Sequence, residues 1–225
     1  MNRVQNEPMA QREEGAATGE LHINVVGAID EISAAEWDAC ANPPRSTHSS
    51  HQETTYNPFV SHDFLSALEE SKSVGGRTGW QPQHVVAKTS DGELVAAAPC
   101  YLKSHSRGEY VFDRGWAEAY AHAGGNYYPK LQVAVPFTPA TGRRLLVRPG
   151  PRADEFRRVL AGGLVKLCEI DDASGVHVTF ATEPEYRFLG ELGFLQRNDQ
   201  QFHWENPGYQ SFDDFLAALA ARKRK

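Results

Sequence analysis

The stretch that decides the fold is residues 176–194, which reads VHVTFATEPEYRFLGELGF. Its first five residues form a continuous run that predicts an apolar strand. Thr182 and Glu185 then predict the start of a helix, as an N-cap and a capping-box glutamate. Gly193 predicts the end of that helix, because glycine tolerates the left-handed backbone found there. With a returning strand expected over 194–204, the stretch predicts a strand–helix–strand crossover unit.

A β-hairpin is predicted upstream of this unit. Residues 83–88 and 93–103 flank Asp91-Gly92, a pair typical of a two-residue type I′ turn. Residues 153–172 carry apolar side chains at helical spacing and predict a long helix. Further elements are expected at 22–26 (strand), 33–41 (helix), from Ser61 (helix), 109–112 (strand) and 116–122 (helix).

The composition indicates a globular protein with a small negative charge. The chain has 225 residues, 40% of them hydrophobic, and a formal net charge of −6. The negative charge excludes a protein that coats nucleic acid, so any contact with a polyanion must be local. Cys40, Cys100 and Cys168 are far apart and predict reduced thiols. Without a run of roughly 18 apolar residues or a signal sequence after Met1, we expect a cytoplasmic protein.

A second informative stretch, residues 127–146, predicts a strand that stops abruptly. The apolar run 131–135 meets Pro136 and then Pro139, neither of which donates a ladder hydrogen bond. A strand that parts from its neighbour exposes backbone groups to a ligand. The alternative is that the prolines simply end an edge strand.

The residues that follow suit an anionic ligand. Gly142 allows close approach of the backbone, and Arg143 and Arg144 suit a phosphate or a carboxylate. Surface arginines without such a role are the alternative.

Short blocks of the sequence carry a family resemblance: NPFVS (57–61), PCYLKSH (99–105), YYPKLQV (127–133), ELGF (191–194) and QFHW (201–204). Together they resemble the FemAB-like branch of the GNAT acyltransferase superfamily, which is associated with peptidoglycan biosynthesis or recognition. The resemblance implies an α+β fold, with a central mixed, mostly antiparallel sheet flanked by helices.

The resemblance also implies a division of the chain. Residues 1–20 are polar and are expected to be disordered. Residues 21–207 would form the GNAT-like domain. Residues 208–225 would begin a helix that leads to a second GNAT-like half, absent from this chain, on which the first half would pack.

The interrupted strand is where the resemblance places the acyl donor. GNAT enzymes hold the pyrophosphate of acyl-CoA on a Gln/Arg-x-x-Gly-x-Gly/Ala loop after this strand. Here that place has one glycine and a proline, which departs from the pattern. The donor is therefore expected to be either acyl-CoA or, as in FemAB-type enzymes, aminoacyl-tRNA, and no cofactor is expected to be bound permanently. The expected donor contacts are Phe137, Thr138, Thr141, Gly142, Arg143 and Arg144.

The acceptor is expected at the start of the same stretch. Tyr127, Tyr128, Lys130 and Gln132 combine aromatic rings with hydrogen-bonding groups that suit a sugar or a peptide. On a strand, residues 128, 130 and 132 share one face. The alternative is that this face meets solvent or packs on the second half.

Acyl transfer to an amine requires a neutral amine, donors for the oxyanion and an acid for the leaving group. His203 and Glu205 are the candidate bases, and Tyr186 is the nearest tyrosine to the position of the family's acid. The alternative for His203 is a structural histidine. No metal site is expected, since His48 and His51 lie in a Ser/Thr-rich loop.

Three functions remain open. The first is a FemAB-like acyltransferase that acts on an amine of a small molecule, a peptide or a cell-wall precursor. The second is an acyl-CoA-dependent N-acetyltransferase, and the third is a non-catalytic recognition or scaffold domain. The basic end at 222–225 is either a contact for tRNA phosphates or a solvated helix end.

Overall fold

The computed structural model describes residues 19–44 and 56–224, which form two compact units. The first unit ends at Phe194, and the second begins at Leu195. Most of the tail expected at 1–20, together with His48 and His51, lies outside the described residues.

The first unit combines eight described strands with five α-helices. The strands are β1 (Leu21–Val26), β2 (Trp80–Pro82), β3 (His84–Thr89), β4 (Leu94–Ala98), β5 (Cys100–Lys103), β6 (Lys130–Val133), β7 (Leu146–Val147) and β8 (Val176–Val178). The helices are α1 (Ala34–Ala41), α2 (His62–Glu70), α3 (Arg114–His122), α4 (Ala153–Ile170) and α5 (Glu183–Glu191). The predicted α+β architecture, with mixed, mostly antiparallel strand pairing and flanking helices, is confirmed, and the strands are divided between two sheets.

The strands form two four-stranded sheets, in the orders β1-β3-β4-β7 and β2-β5-β6-β8. All pairs are antiparallel except β6 with β8. The predicted hairpin is confirmed, since β3 and β4 flank Gly92, which has a positive φ of 86°. The two-residue type I′ turn is wrong: Asp91 lacks the positive φ that this turn requires, and the hydrogen bond from the Thr89 N–H to the Glu93 carbonyl leaves three residues in the loop. The two sheets share this hairpin, because β2 and β3 follow one another along one arm and β4 and β5 along the other.

Pro99 divides the second arm of the hairpin, which the sequence predicted as one strand. Its neighbour Cys100 donates its backbone N–H to Nδ1 of His84, at 3.3 Å. Because Nδ1 accepts, the ring proton lies on Nε2, which contacts Oε1 of Glu69 at 2.9 Å. His84 is fully buried and therefore satisfies a backbone group at the break between the sheets.

Two layers of helices cover the sheets. The long helix α4 packs its apolar stripe on one face, and α1 and α2 pack on the other around Trp37 and Leu65. The stripe predicted for α4 is confirmed for its buried members Phe156, Leu160, Leu164 and Leu167.

The interrupted strand is present and differs in detail from the prediction. β6 pairs with β5 and β7 pairs with β4, so the chain leaves the second sheet after Val133 and joins the first sheet at Leu146. We call residues 134–145 the excursion. β6 pairs with β8 from Leu131 to Val133, and the two then part. The N–H of Gly142 donates to the carbonyl of Phe180 at 2.9 Å and bridges this gap.

Helix α5 confirms part of the prediction at 176–194. It spans Glu183–Glu191, and Gly193 follows its end with a positive φ of 91°. The capping box is wrong: the side chain of Thr182 makes no cap hydrogen bond, and the carboxylate of Glu185 binds the backbone of the excursion instead. The N-cap position of Thr182 is correct.

The returning strand predicted at 194–204 is wrong, and so is the strand at 109–112. Residues 195–204 are exposed and have no regular secondary structure. The described residues of the second unit contain no strand with which residues 195–204 could pair, and an isolated strand has no partners for its backbone groups.

The second unit contains a short helix, α6 (Phe212–Ala218). Ser211 and Asp214 form its capping box, and a 3-10 turn at Ala221–Lys223 follows it. The helix therefore ends earlier than the sequence suggested. In the part of the chain that the structure describes, no helix combines the length and apolar character required to cross a bilayer.

Candidate functional site

A buried cluster of charges surrounds Lys130, at the start of β6. Its Nζ donates to Asp113 Oδ2 at 2.6 Å, to Glu109 Oε2 at 2.7 Å and to Ser106 Oγ at 2.9 Å. Lys130, Glu109 and Asp113 are each at most 3% exposed. Charges this deep are stable only when paired, so the three side chains form one unit.

Asp113 collects hydrogen bonds from several side chains. Its Oδ2 accepts from Lys130, from Ser106 Oγ at 2.7 Å and from the hydroxyl of Tyr127 at 2.9 Å. Burial opposes ionisation, but the hydrogen bonds from Lys130 and Ser106 outweigh it and lower the pKa of Asp113. Asp113 is therefore a carboxylate near neutral pH.

The hydroxyl of Tyr128 extends this network. It lies 2.7 Å from Ser106 Oγ. The rings of Tyr127 and Tyr128 meet edge to face, and both lie within 6 Å of the Lys130 ammonium. Three of the four predicted acceptor residues thus belong to one cluster.

A second buried lysine borders the cluster. Lys103 Nζ lies 3.5 Å from the centroid of the Trp80 ring and donates to the carbonyl of Arg107 at 3.3 Å. Burial lowers the pKa of Lys103 from 10.5 to about 7, against the opposing attraction of Glu109. The Oε1 atom of Glu109 is buried, has no hydrogen-bond partner among the described residues, and lies 3.9 Å from Lys103 Nζ.

An open cavity of about 550 Å³ lies beside this cluster. Ser106, Asp113 and Tyr128 line it on the side of the buried charges. Helix α3 lines it too, and none of that helix's residues is buried. A cavity of this size can hold a small molecule or a short piece of peptide.

The fourth predicted acceptor residue, Gln132, lies deeper. Its side chain is fully buried and donates to Thr179 Oγ1 at 2.9 Å, across the β6–β8 pair. Gln132 does not line the cavity beside Lys130.

The two arginines of the predicted donor site are engaged by the protein. Arg144 is fully buried, and its guanidinium donates to the carbonyls of Thr179, Arg143 and Ala140. Burial lowers the pKa of Arg144 to about 10. Arg143 is half-buried and donates to the carbonyl of Ala41. A phosphate clamp formed by both guanidinium groups does not fit this arrangement, because the arginines bind the excursion and its surroundings.

Gly142 approaches a protein side chain closely. A Cβ atom at this position would lie 2.4 Å from Nδ2 of Asn57. The sequence identified correctly that a small residue is required, but attributed the requirement to a ligand. Gly142 does not line the cavity beside Lys130.

The other donor residues lie at the surface of the excursion. Phe137 and Thr141 are exposed, and Thr138 is half-buried, with its hydroxyl donating to the carbonyl of Pro136. Phe137 has a positive φ of 57°, and its ring lies 5.6 Å from that of Trp80.

The predicted catalytic residues are not brought together within one unit. Tyr186 lies half-buried on α5, in the first unit. His203 and Glu205 belong to the second unit and are exposed, and His203 contacts the side chain of Gln201 at 2.9 Å. Across the described residues, there is no cluster of three or more side chains able to hold a metal ion.

Sequence reasoning missed Glu109, Ser106 and Lys103 as members of the site. Available signals were two lysines on predicted strands, at 103 and 130, and two acids four residues apart, at 109 and 113. A buried lysine needs a carboxylate, so these four positions belong together once the strands are taken to be buried.

Comparisons with known proteins give a family and distant structural neighbours. A family model for FemAB-like proteins, described as peptidoglycan biosynthesis/recognition, matches residues 28–225. A sequence comparison with curated proteins finds no match.

Three similar solved structures are those of acetyltransferases. An acetyltransferase from Trypanosoma brucei is 14% identical, with a TM-score of 0.44, over 83% of this chain and 100% of its own. Glucosamine-6-phosphate N-acetyltransferase from Arabidopsis thaliana is 9% identical, with a TM-score of 0.45, over 83% and 99%. An aminoglycoside 6'-N-acetyltransferase from Acinetobacter baumannii is 17% identical, with a TM-score of 0.43, over 84% and 100%.

Proposed function

Because the chain belongs to the FemAB-like family, we propose that it is an acyltransferase that transfers an acyl or aminoacyl group to an amine of a peptide or cell-wall precursor. The structural observation that supports this proposal is the buried Lys130–Asp113 pair beside an open cavity. Buried, hydrogen-bonded charges next to a cavity are typical of sites that bind and orient reacting groups.

The proposed reaction forms one bond and breaks another. The nitrogen of the acceptor amine bonds to the acyl carbon, and the bond between that carbon and its carrier breaks. A proton from the amine ends on the carrier. The chain must therefore hold the amine in its neutral form with its lone pair directed at the acyl carbon.

The donor is proposed in two forms, aminoacyl-tRNA or acyl-CoA. The proposed donor contacts in either case are Phe137, Thr138 and Thr141, at the surface of the excursion. The basic end at 222–225 is proposed to contact tRNA phosphates, and a second GNAT-like half is proposed to pack on this one. The reaction is proposed to take place in the cytoplasm.

The experiment is mass spectrometry of an acceptor peptide with a single free amine. The purified chain is incubated with the peptide and either acetyl-CoA or charged tRNA, with heat-inactivated chain as the control. The proposal expects an added acyl or aminoacyl mass with one of the two donors. No added mass with either donor, across a panel of peptides, contradicts it.

A non-catalytic recognition domain is the second candidate. The observation that favours it is the exposure of His203 and Glu205, which belong to the second unit, whereas Lys130 belongs to the first. A recognition domain binds the acceptor without modifying it. It also predicts that His203→Ala and Glu205→Ala leave affinity unchanged. An acyl-CoA-dependent N-acetyltransferase, in contrast, is stabilised against heat by acetyl-CoA in proportion to its affinity.

A further inference from the structure

The hydrogen-bond directions around Ser106 determine what Tyr128 offers to the cavity. The carboxylate of Asp113 has no proton to give, so Ser106 Oγ must donate its single proton across the 2.7 Å contact. Ser106 then has no proton left for Tyr128. In the 2.7 Å contact between the two hydroxyls, Tyr128 is therefore the donor and Ser106 the acceptor.

Tyr128 consequently presents only oxygen lone pairs to the cavity that it lines. A phenol in this state accepts a hydrogen bond from a ligand and cannot donate one. The matching ligand group is an N–H donor. The same geometry argues against Tyr128 as the acid that protonates a leaving group.

The charges that line the cavity point to a second ligand group. Asp113 is neutralised by Lys130, and Arg114 pairs with Glu118 at 2.8 Å. Arg107 is exposed and forms no ion pair with any described residue. The remaining charge on the lining is thus a single guanidinium, which suits a carboxylate.

Most of the rest of the lining is apolar. Val111, Phe112, Ala117 and Ala121 provide this surface, and Phe112 is 87% exposed. An inorganic phosphate or pyrophosphate would use the guanidinium but would cover none of this surface. A short peptide with aliphatic groups would use both.

We propose that the cavity binds the acceptor as an acidic peptide, whose amine N–H donates to the phenolic oxygen of Tyr128 and whose carboxylate binds Arg107. That the bound peptide is the acceptor rests on the proposed function, whereas the binding itself requires no turnover. Tyr128 would hold the amine by one N–H in its charged and in its neutral form; in the neutral form, which reacts, the nitrogen lone pair is then directed away from the phenol and available to the acyl carbon.

Three synthetic peptides and calorimetric titration test the proposal. The first is N-acetyl-Ala-Glu-Lys with a free side-chain amine and a free carboxyl end. The second carries trimethyllysine, which keeps the positive charge but has no N–H. The third has Gln for Glu and an amidated end, which removes both carboxylates. The wild-type chain should bind the first peptide about tenfold more tightly than either of the others, as the loss of one charge-assisted hydrogen bond implies.

Two variants assign the contacts. Tyr128→Phe should bind the first two peptides equally, and Arg107→Gln should bind the first and third equally. The backbone carbonyl of Arg107 accepts hydrogen bonds from Trp80 and Lys103, and the substitution leaves that carbonyl in place. Tyr120→Phe and Arg187→Gln are matched controls outside the cavity and should behave as the wild type.

Several results overturn the proposal: no binding of the first peptide, equal wild-type affinity for all three, or unchanged discrimination in both variants. Displacement of the peptide by pyrophosphate at lower concentration would assign the cavity to phosphate instead and overturn it too. Binding as expected without acyl transfer would contradict the proposed function and leave the ligand assignment intact. Acyl transfer without the expected binding would support the proposed function and contradict the ligand assignment.

Discussion

The carboxylate of Glu185 lies 2.8 Å from the backbone nitrogen of Arg144. Its other oxygen accepts the backbone N–H of Leu145, also at 2.8 Å. One side chain of α5 therefore satisfies two adjacent amides at the end of the excursion, just before β7. Burial raises the pKa of Glu185, and these two hydrogen bonds oppose that shift.

Replacing Glu185 by Ala should lower the free energy of unfolding substantially. Two buried backbone donors lose their acceptor, and each unsatisfied donor costs about 1–3 kcal/mol. Urea denaturation followed by circular dichroism measures the change. Glu183→Ala, two residues away on the same helix, removes an exposed contact with Arg187 and should have little effect. Equal losses in the two variants would contradict this role of Glu185.

Lys130→Met should destabilise the first unit by about 3–5 kcal/mol, because it leaves two buried carboxylates without their cation. The triple variant with Glu109→Gln and Asp113→Asn should regain part of that loss, since the two carboxylates that lost Lys130 are then neutral amides, although Lys103 loses its contact with Glu109. Equilibrium unfolding in urea compares the three chains. Lys166→Met, at an exposed pair with Glu169, is the control and should be indistinguishable from the wild type. A triple variant no more stable than Lys130→Met would show that charge pairing is not the cause.

Stability should rise with pH between about 7 and 10 because of Lys103. Burial lowers its pKa to about 7 in the folded chain, whereas the unfolded chain keeps a value near 10.5. Between these values the unfolded state binds more protons, so the free energy of unfolding increases with pH. Urea titrations at three pH values across this window should give a steeper rise for the wild type than for Lys103→Met. Parallel profiles would contradict the assignment.

Gly142→Ala should destabilise the excursion, since its new Cβ would lie 2.4 Å from Nδ2 of Asn57. Such a contact forces the Asn57 amide to shift, and its Oδ1 accepts the backbone N–H of Phe59 at 3.0 Å. Adding Asn57→Ala should recover part of the loss, so that the double variant is more stable than the sum of the single changes. Thermal unfolding of all four chains forms a double-mutant cycle. Strict additivity would mean that Gly142 is required for some other reason.

Local signals predicted the elements whose cause is local. Asp91-Gly92 placed the hairpin, the apolar stripe placed α4, and Gly193 placed the end of α5. Each depends on a few neighbouring residues, so sequence alone was sufficient. The strand at 194–204 failed because its alternating pattern needs a pairing partner that the described second unit does not provide.

The candidate site was predicted only in outline. Tyr127, Tyr128 and Lys130 were identified from a single stretch, and the structure places them in one cluster. Glu109 and Asp113, which complete it, come from the connection between β5 and β6. Their pairing depends on the depth at which the strand is buried, which spacing does not reveal. Arg144 was misjudged for the same reason: a guanidinium that looks available in sequence is buried among carbonyls.

The proline between β4 and β5 has a further consequence. Since Pro99 has no N–H, the hydrogen-bond ladder of the first sheet ends at this residue. The second sheet starts just beyond it and has its own register. The connection that carries Ser106, Glu109 and Asp113 leaves from the far end of the second sheet. Residues 104–129 can therefore be exchanged as a cassette to alter ligand preference, while β1, β3, β4 and β7 keep their pairing, provided that a partner for Lys130 is retained.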